Sequence, residues 1–256
     1  LTLPAGFPVV ALKEKARGEE AVASLGKNLP AIAAFYHVKE AELKKLLRQD
    51  KMLWIDERGL LFYVCKFDLP VEDGEALADV SPIDNGPVDR TQTFLLHTRQ
   101  GSSKVIYLDF DGHDASTTSW GADAIGVPFD LDGNGSNFST TERETIQRIW
   151  QRVAEDFAMY DVDVTTEDPG VEALRKNNSS DENYGIRVVI GGTSTDWYHS
   201  AGGVAYIGSF NQNSDTPCWV FPGSLSKSEK NIAEAISHEV GHTLGLNHDG
   251  KTDGTT

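Results

Sequence analysis

Three histidines and a glutamate near the end of the chain have the spacing of a metal site: His238, Glu239, His242 and, beyond Gly245, His248. Two histidines four positions apart share one face of a helix, so both imidazoles can bind one cation, and neutral imidazole suits Zn²⁺. A glycine can adopt positive φ, end the helix and bring His248 back as a third ligand. Three protein ligands leave one coordination position open, which is typical of a catalytic zinc site.

Glu239 follows the first histidine and is the predicted general base. Zinc lowers the pKa of a bound water to about 7 and polarises a bound carbonyl. We therefore predict an enzyme that hydrolyses peptide bonds by a zinc-bound water that Glu239 activates. Two alternatives remain: an inactive, protease-like module that only binds peptides, and a zinc amidohydrolase acting on a non-protein substrate. The presence of Glu239 favours an enzyme over the binding module.

The elements around this helix predict a mixed α/β sheet. A capping box at residues 139–142 opens one helix, and the helix that carries the histidines begins at about Ser228. A strand–helix–strand opening, followed by further strands and then a late helix, favours a mixed α/β sheet. The predicted strands span residues 104–110, 161–165, 185–190, 203–210 and 218–221.

The first ninety or so residues form a separate unit in composition. The net charge is −3 through Arg90 and −13 after it, and residues 70–93 are rich in proline, glycine and acids, which is typical of a linker. Residues 40–49 predict a helix, and residues 52–65 predict a β-hairpin. We therefore divide the chain into a small α+β unit at 1–92 and a second domain at 93–256.

The composition excludes several partners. The chain has 256 residues and a formal net charge of −16, and no apolar run reaches the length of a bilayer span. Its acidic balance would repel a phosphate backbone and an anionic lipid surface, so we expect neither nucleic acid nor membrane as partner. A protein, peptide or small-molecule substrate remains.

The order of His238, Glu239, His242, Gly245 and His248 resembles the extended motif of the metzincin zinc endopeptidases. Asp249 is similar to the adamalysin or reprolysin branch, and segments 106–113 and 162–169 are similar to secreted bacterial metallopeptidases. The resemblance implies a twisted, mostly parallel sheet with an antiparallel edge strand that binds extended substrate, for which residues 203–210 are the candidate. It also implies bound zinc and a secreted, extracellular enzyme.

A unit before such a domain resembles a propeptide, which would act as an intramolecular inhibitor and make this chain a latent proenzyme. Cys65 on the predicted hairpin could give a thiolate to the open zinc position and exclude water. Two other roles stay open for Cys65: a buried free thiol, or a disulfide with Cys218. Cys218 itself is predicted to be a core residue.

Metzincins place a methionine in a tight turn after the third histidine, whereas the methionines here are Met52 and Met159 and the sequence ends at Thr256. We therefore expect that the C-terminal subdomain is missing from this chain or lies on a separate chain.

A weaker signal is the segment Asp130, Asp132 and Asn134, which matches the start of a calcium-binding loop. Position twelve of that pattern is Thr141 where the pattern requires a glutamate. The loop is therefore either a calcium site or an ordinary turn stabilised by its own carboxylates.

Overall fold

The computed structural model describes residues 3–67, 89–135, 137–192, 198 and 200–248. Within these residues, five α-helices and eight strands are present. The helices are Gly18–Leu25 (α1), Leu29–Phe35 (α2), Glu40–Gln49 (α3), Thr140–Asp156 (α4) and Glu229–Thr243 (α5). The strands are Ala16–Arg17 (β1), Leu53–Ile55 (β2), Leu61–Cys65 (β3), Lys104–Asp109 (β4), Asp163–Thr165 (β5), Tyr184–Ile190 (β6), Gly203–Tyr206 (β7) and Cys218–Val220 (β8).

All eight strands form one mixed sheet in the order β1-β2-β3-β7-β8-β6-β4-β5. The strands β8, β6, β4 and β5 pair in parallel, whereas β7 pairs antiparallel with β8. The predicted mixed α/β fold is therefore confirmed, with β7 as the antiparallel border of the parallel part. β7 is shorter than predicted because the chain turns at Gly208, where φ is +70°, before it reaches Phe210.

The N-terminal hairpin extends the sheet beyond β7. β2 and β3 pair antiparallel, as predicted, and β3 then pairs antiparallel with the outer side of β7. In this register Phe62 lies opposite Tyr206 and Cys65 lies opposite Gly203. The strand predicted to bind substrate therefore has a backbone partner on both sides, and the outer partner comes from the first unit.

The sheet has a hydrophobic core on each face. Helices α4 and α5 pack on one face, and helices α1 to α3 contribute to the core of the other, because neighbouring side chains of a strand point in opposite directions. In β8, for example, Cys218 and Val220 pack with α4 and α5, whereas Trp219 packs in the opposite core. The hydrophobic core shared between the two units shows that the first unit packs against the second.

Helix α4 begins at the predicted capping box. The Ser139 hydroxyl accepts a hydrogen bond from Glu142 N at 3.3 Å, and the Glu142 carboxylate accepts one from Ser139 N at 2.8 Å. The apolar stripe that follows packs against the sheet through Ile146, Ile149 and Val153, all fully buried. The helix therefore starts and packs as its sequence predicts.

A polar cluster joins the hairpin turn to the second unit. Asp56 is fully buried and forms an ion pair with Arg58 at 2.6 Å. Arg58 and the Tyr206 hydroxyl each donate a hydrogen bond to the Ser119 carbonyl at 3.0 Å. The Tyr206 hydroxyl also lies 3.3 Å from the Asp56 carboxylate. These contacts fix the hairpin against β7.

Several predictions fall partly or wholly outside the described residues. Most of the proposed linker lies in residues 68–88, and the expected end of a truncated domain lies in residues 249–256, which include Asp249. Among the described residues, none of the helices has the length and apolar character needed to cross a membrane.

Candidate metal centre

The end of α5 sets the positions of the three histidines. The Ser228 hydroxyl accepts a hydrogen bond from Asn231 N at the start of the helix, and the last helical residue is Thr243. Gly245 then adopts φ +97°, a conformation that favours glycine, and Leu246 N donates back to the Gly241 carbonyl at 3.0 Å. The chain reverses as predicted and returns His248 to the helix.

The three imidazoles converge on one point. The Nε2 atom of His238 lies 3.0 Å from Nε2 of His242 and 3.1 Å from Nε2 of His248. Tetrahedral zinc with bonds of 2.0–2.1 Å to nitrogen separates its ligand atoms by about 3.3 Å. The observed spacings are slightly shorter than this value and match ligands around one cation.

In two of these rings, the hydrogen bond at Nδ1 determines that Nε2 faces the centre. Nδ1 of His242 lies 2.8 Å from the Leu246 carbonyl, and Nδ1 of His248 lies 2.9 Å from the Asp50 carboxylate. Both partners are acceptors, so both Nδ1 atoms carry the proton and both Nε2 atoms present lone pairs. Both Nε2 atoms can therefore give a lone pair to a cation that binds between the three rings.

Burial disfavours the charged forms of His238 and His242. It lowers the pKa of His238 to about 4 and that of His242 to about 3, with further lowering from the neighbouring histidines. Neutral imidazole is the form that binds a metal. These two side chains are therefore in the form that can bind a metal at neutral pH.

Cys65 supplies a fourth possible ligand atom. Its Sγ lies 3.4 Å from Nε2 of His242 and 3.8 Å from Nε2 of His248, close to the separation of about 3.6 Å expected for sulfur and nitrogen on one tetrahedral zinc. Its position follows from the β3–β7 register, because Gly202 N donates to the Cys65 carbonyl at 2.8 Å. Cys65, His238, His242 and His248 are together one of the groups whose geometry can hold a metal ion.

The two cysteines are not bonded to each other. Both are free thiols, so the disulfide alternative is wrong in this fold. Cys218 is fully buried in β8, as predicted for a core residue. Burial raises the pKa of the Cys65 thiol, and a bound metal cation would be needed to hold it as thiolate.

Glu239 is a fully buried carboxylate beside this centre. Neither of its oxygens has a hydrogen-bond partner by geometry among the described residues. Burial raises the pKa of Glu239 well above the usual range, and the neighbouring Cys65 thiol acts in the opposite direction. A buried carboxylate without partners costs several kcal/mol, on the order of the penalty for an unpaired polar group or more. A buried carboxylate at this position fits a site that binds a cation and a water molecule.

The Glu239 side chain occupies the space beside Gly203 where any other residue would have its Cβ. A Cβ added at Gly203 would lie 2.5 Å from Oε1 and 2.6 Å from Cγ of Glu239. We expect Gly203→Ala to displace the Glu239 side chain and to lower the free energy of unfolding by about 1–3 kcal/mol, the usual cost of overpacking. Urea denaturation measures this change.

The matched control is Gly223→Ala, because a Cβ there has no atom within 4 Å and φ is not positive. We expect this control to unfold at the wild-type urea concentration. Equal stability of both variants would contradict the tight contact between β7 and Glu239.

The N-terminal unit also supplies aromatic walls. The Tyr63 ring stacks on His242 with centroids 4.1 Å apart and lies 4.3 Å from the His248 ring. The Phe67 ring lies 5.2 Å from the His238 ring. Sequence reasoning missed Tyr63 and Asp50. Tyr63 could have been found, because it lies two positions before Cys65 and so on the same face of a strand.

The weaker candidates do not join this centre. Asp130 accepts hydrogen bonds from Gly133 N at 2.6 Å and Gly135 N at 3.1 Å, and Asp132 accepts one from Asn134 N at 3.1 Å. These are the contacts of an ordinary turn stabilised by its own carboxylates, and they do not support calcium. The carboxylates of Asp130, Asp132 and Glu142 lie close together. Both oxygens of the Glu142 carboxylate, however, accept hydrogen bonds from backbone amides.

Other histidines and acids have structural partners. Both ring nitrogens of His97 lie 2.7 Å from carboxylates, those of Asp163 and Glu167. Asp109 lies at the end of β4 and pairs with the buried Arg187 at 2.6 Å. These contacts give both side chains structural roles away from the metal centre.

The structure therefore combines a mixed α/β sheet with three converging imidazoles at the end of one helix. Residues 142–249 match the model of the reprolysin-like metallopeptidases of family M12B, a match that includes His238, Glu239, His242 and His248. It confirms the resemblance to metzincin-type reprolysin domains and supports a zinc metalloprotease. Comparison with curated proteins gives no significant match.

Proposed function

We propose that this protein is a secreted zinc-dependent metalloendopeptidase, held in a latent proenzyme form by its own N-terminal unit. The observation that carries the proposal is the convergence of three imidazoles beside Glu239, a fully buried carboxylate without a partner among the described residues. Such a set of donors fits zinc, and the carboxylate fits a general base.

The side chains have separate tasks in the proposed reaction. Zinc, when bound, lowers the pKa of water and polarises the carbonyl of the substrate. His238, His242 and His248 hold it as neutral donors. Glu239 takes a proton from the attacking water while the oxygen of that water bonds to the carbonyl carbon of the substrate. It then gives this proton to the amine nitrogen as the C–N bond breaks, which balances the hydrolysis.

The position of β3 supports the proposed latency. This strand pairs with the outer side of β7, where an extended substrate would pair, and it brings Cys65 to the position that water would need. We therefore assign residues 1–92 as a propeptide and intramolecular inhibitor, and residues 93–256 as catalytic domain. Protein or peptide is the favoured substrate class, because β7 already accepts an extended strand along its backbone.

The first test is the metal. We expect the purified full chain to bind one zinc ion and His238→Ala to lose it during dialysis, because only two imidazoles and one thiol remain. Elemental analysis by mass spectrometry measures the zinc content. His37→Ala, which removes an exposed histidine of the N-terminal unit, is the control and should retain zinc. Full zinc content in His238→Ala would refute the assigned centre.

A further inference from the structure

The third histidine is positioned by a residue of the N-terminal unit. Asp50 directly follows α3 and is 7% exposed. Its Oδ1 accepts a hydrogen bond from Met52 N at 2.9 Å, which fixes the carboxylate, and its Oδ2 accepts one from Nδ1 of His248, also at 2.9 Å. The carboxylate therefore has one oxygen anchored in its own unit and the other bound to a candidate metal ligand.

His248 depends on this contact more than the other two histidines do. His238 and His242 lie within α5, whereas His248 follows the helix end, after the four exposed residues 244–247. His242 is further held by the Leu246 carbonyl of the same segment. The described contacts of the His248 side chain outside the histidine cluster come from the N-terminal unit, through Asp50, Cys65 and Tyr63.

The backbone of His248 has the same support. His248 N donates to the Tyr63 hydroxyl at 3.4 Å, and the two rings lie 4.3 Å apart. A carboxylate on the outer nitrogen of a ligating histidine fixes the ring and increases its strength as a donor. The N-terminal unit thus acts on the site from two sides, through a possible ligand and through the orientation of another ligand.

We propose that Asp50 is a positioning residue of the metal centre, and that through it the N-terminal unit strengthens retention of zinc in the latent protein. This inference rests on the proposed zinc site. It adds a second task to the N-terminal unit, because blocking the cleft requires only β3 and Cys65, whereas holding His248 requires Asp50.

The test is zinc affinity in the full chain, measured by competition with a chromogenic chelator. We expect Asp50→Ala to weaken zinc binding by about 10- to 100-fold, as for other residues that orient a metal-bound histidine. Asp50→Asn should weaken it less, because its amide oxygen can still accept the hydrogen bond without the charge. Glu19→Gln, at an exposed ion pair on α1, is the charge-matched control for Asp50→Asn and should bind zinc like the wild type.

Double mutants separate orientation of His248 from general damage. In a His248→Ala background, Asp50→Ala should have no further effect, because the ring it orients is gone. In a Cys65→Ser background, the loss caused by Asp50→Ala should persist. Far-UV circular dichroism verifies folding, and Asp50→Asn, which keeps the size and shape of the side chain, is the variant to use if Asp50→Ala does not fold.

Three results would overturn the inference while wild-type protein still binds zinc. The first is that both Asp50 variants bind zinc with wild-type affinity. The second is that Asp50→Ala weakens zinc binding equally in the His248→Ala background. The third is that Asp50→Ala no longer weakens zinc binding in the Cys65→Ser background. The last would mean that Asp50 only docks the strand that carries Cys65. A wild-type chain that binds no zinc would instead contradict the proposed function itself.

Discussion

Glu239→Gln is expected to abolish most peptide hydrolysis while zinc stays bound. Glutamine has nearly the same shape as glutamate but cannot take the proton from water, and loss of a general base lowers rates by about 10²- to 10⁴-fold. The three imidazoles are unchanged, so zinc content should equal that of the parent protein. Casein hydrolysis, measured in a Cys65→Ser background so that the thiol does not compete, checks the rate.

The matched control is Glu234→Gln on the same helix. Glu234 is exposed and its described ion pair is with Lys230, one turn earlier. We expect its activity to stay at the parent level. If Glu239→Gln hydrolysed casein as fast as the control, another group would be the base and the proposed role of Glu239 would fail.

Cys65→Ser is expected to open the fourth position of the metal. The Sγ atom of Cys65 lies 3.4 Å from Nε2 of His242, and in the proposed latent form it should bind the metal as thiolate. With Co²⁺ in place of zinc, the wild type should therefore show a thiolate-to-metal charge-transfer absorption that the variant lacks. Casein hydrolysis should rise at least about tenfold, equivalent to about 1.4 kcal/mol in barrier.

Cys218→Ala controls for loss of a thiol. Cys218 is fully buried in β8 and is not in the group that can hold a metal, so this variant should keep the absorption band. A band that persists in Cys65→Ser would show that sulfur does not bind the metal. An absent band with unchanged, very low hydrolysis would show that strand pairing alone blocks the cleft.

The sequence predicted the parts of the site that depend on local spacing. The separation of His238 and His242 follows from helix periodicity, and the return of His248 follows from the φ that Gly245 can adopt. Cys65 was a candidate ligand because the first unit resembles an inhibitory propeptide and Cys65 lies on its predicted hairpin. Its partner strand could not be derived from the hydrophobic alternation, which shows that a strand is buried but not which strand pairs with it.

Asp50 had no such local signal. It lies 198 positions from His248, and nothing in the pattern of α3 distinguishes it from a polar residue at the end of a helix. The contact exists because the sheet brings two distant segments together. Long-range packing of this kind also explains why β7 gained an outer partner that strand prediction did not include.

The antiparallel pairing of β3 with β7 has a consequence for the proposed activation. Severing the polypeptide between the two units breaks a covalent link but none of the ladder hydrogen bonds, the apolar packing or the Asp56 cluster. In the proposed proenzyme, the freed fragment would therefore stay bound after cleavage, and full activity would require that it dissociates or is digested. After the fragment dissociates, backbone amides and carbonyls on the outer side of β7 would be unpaired. An exposed strand edge of this kind readily pairs with another extended chain.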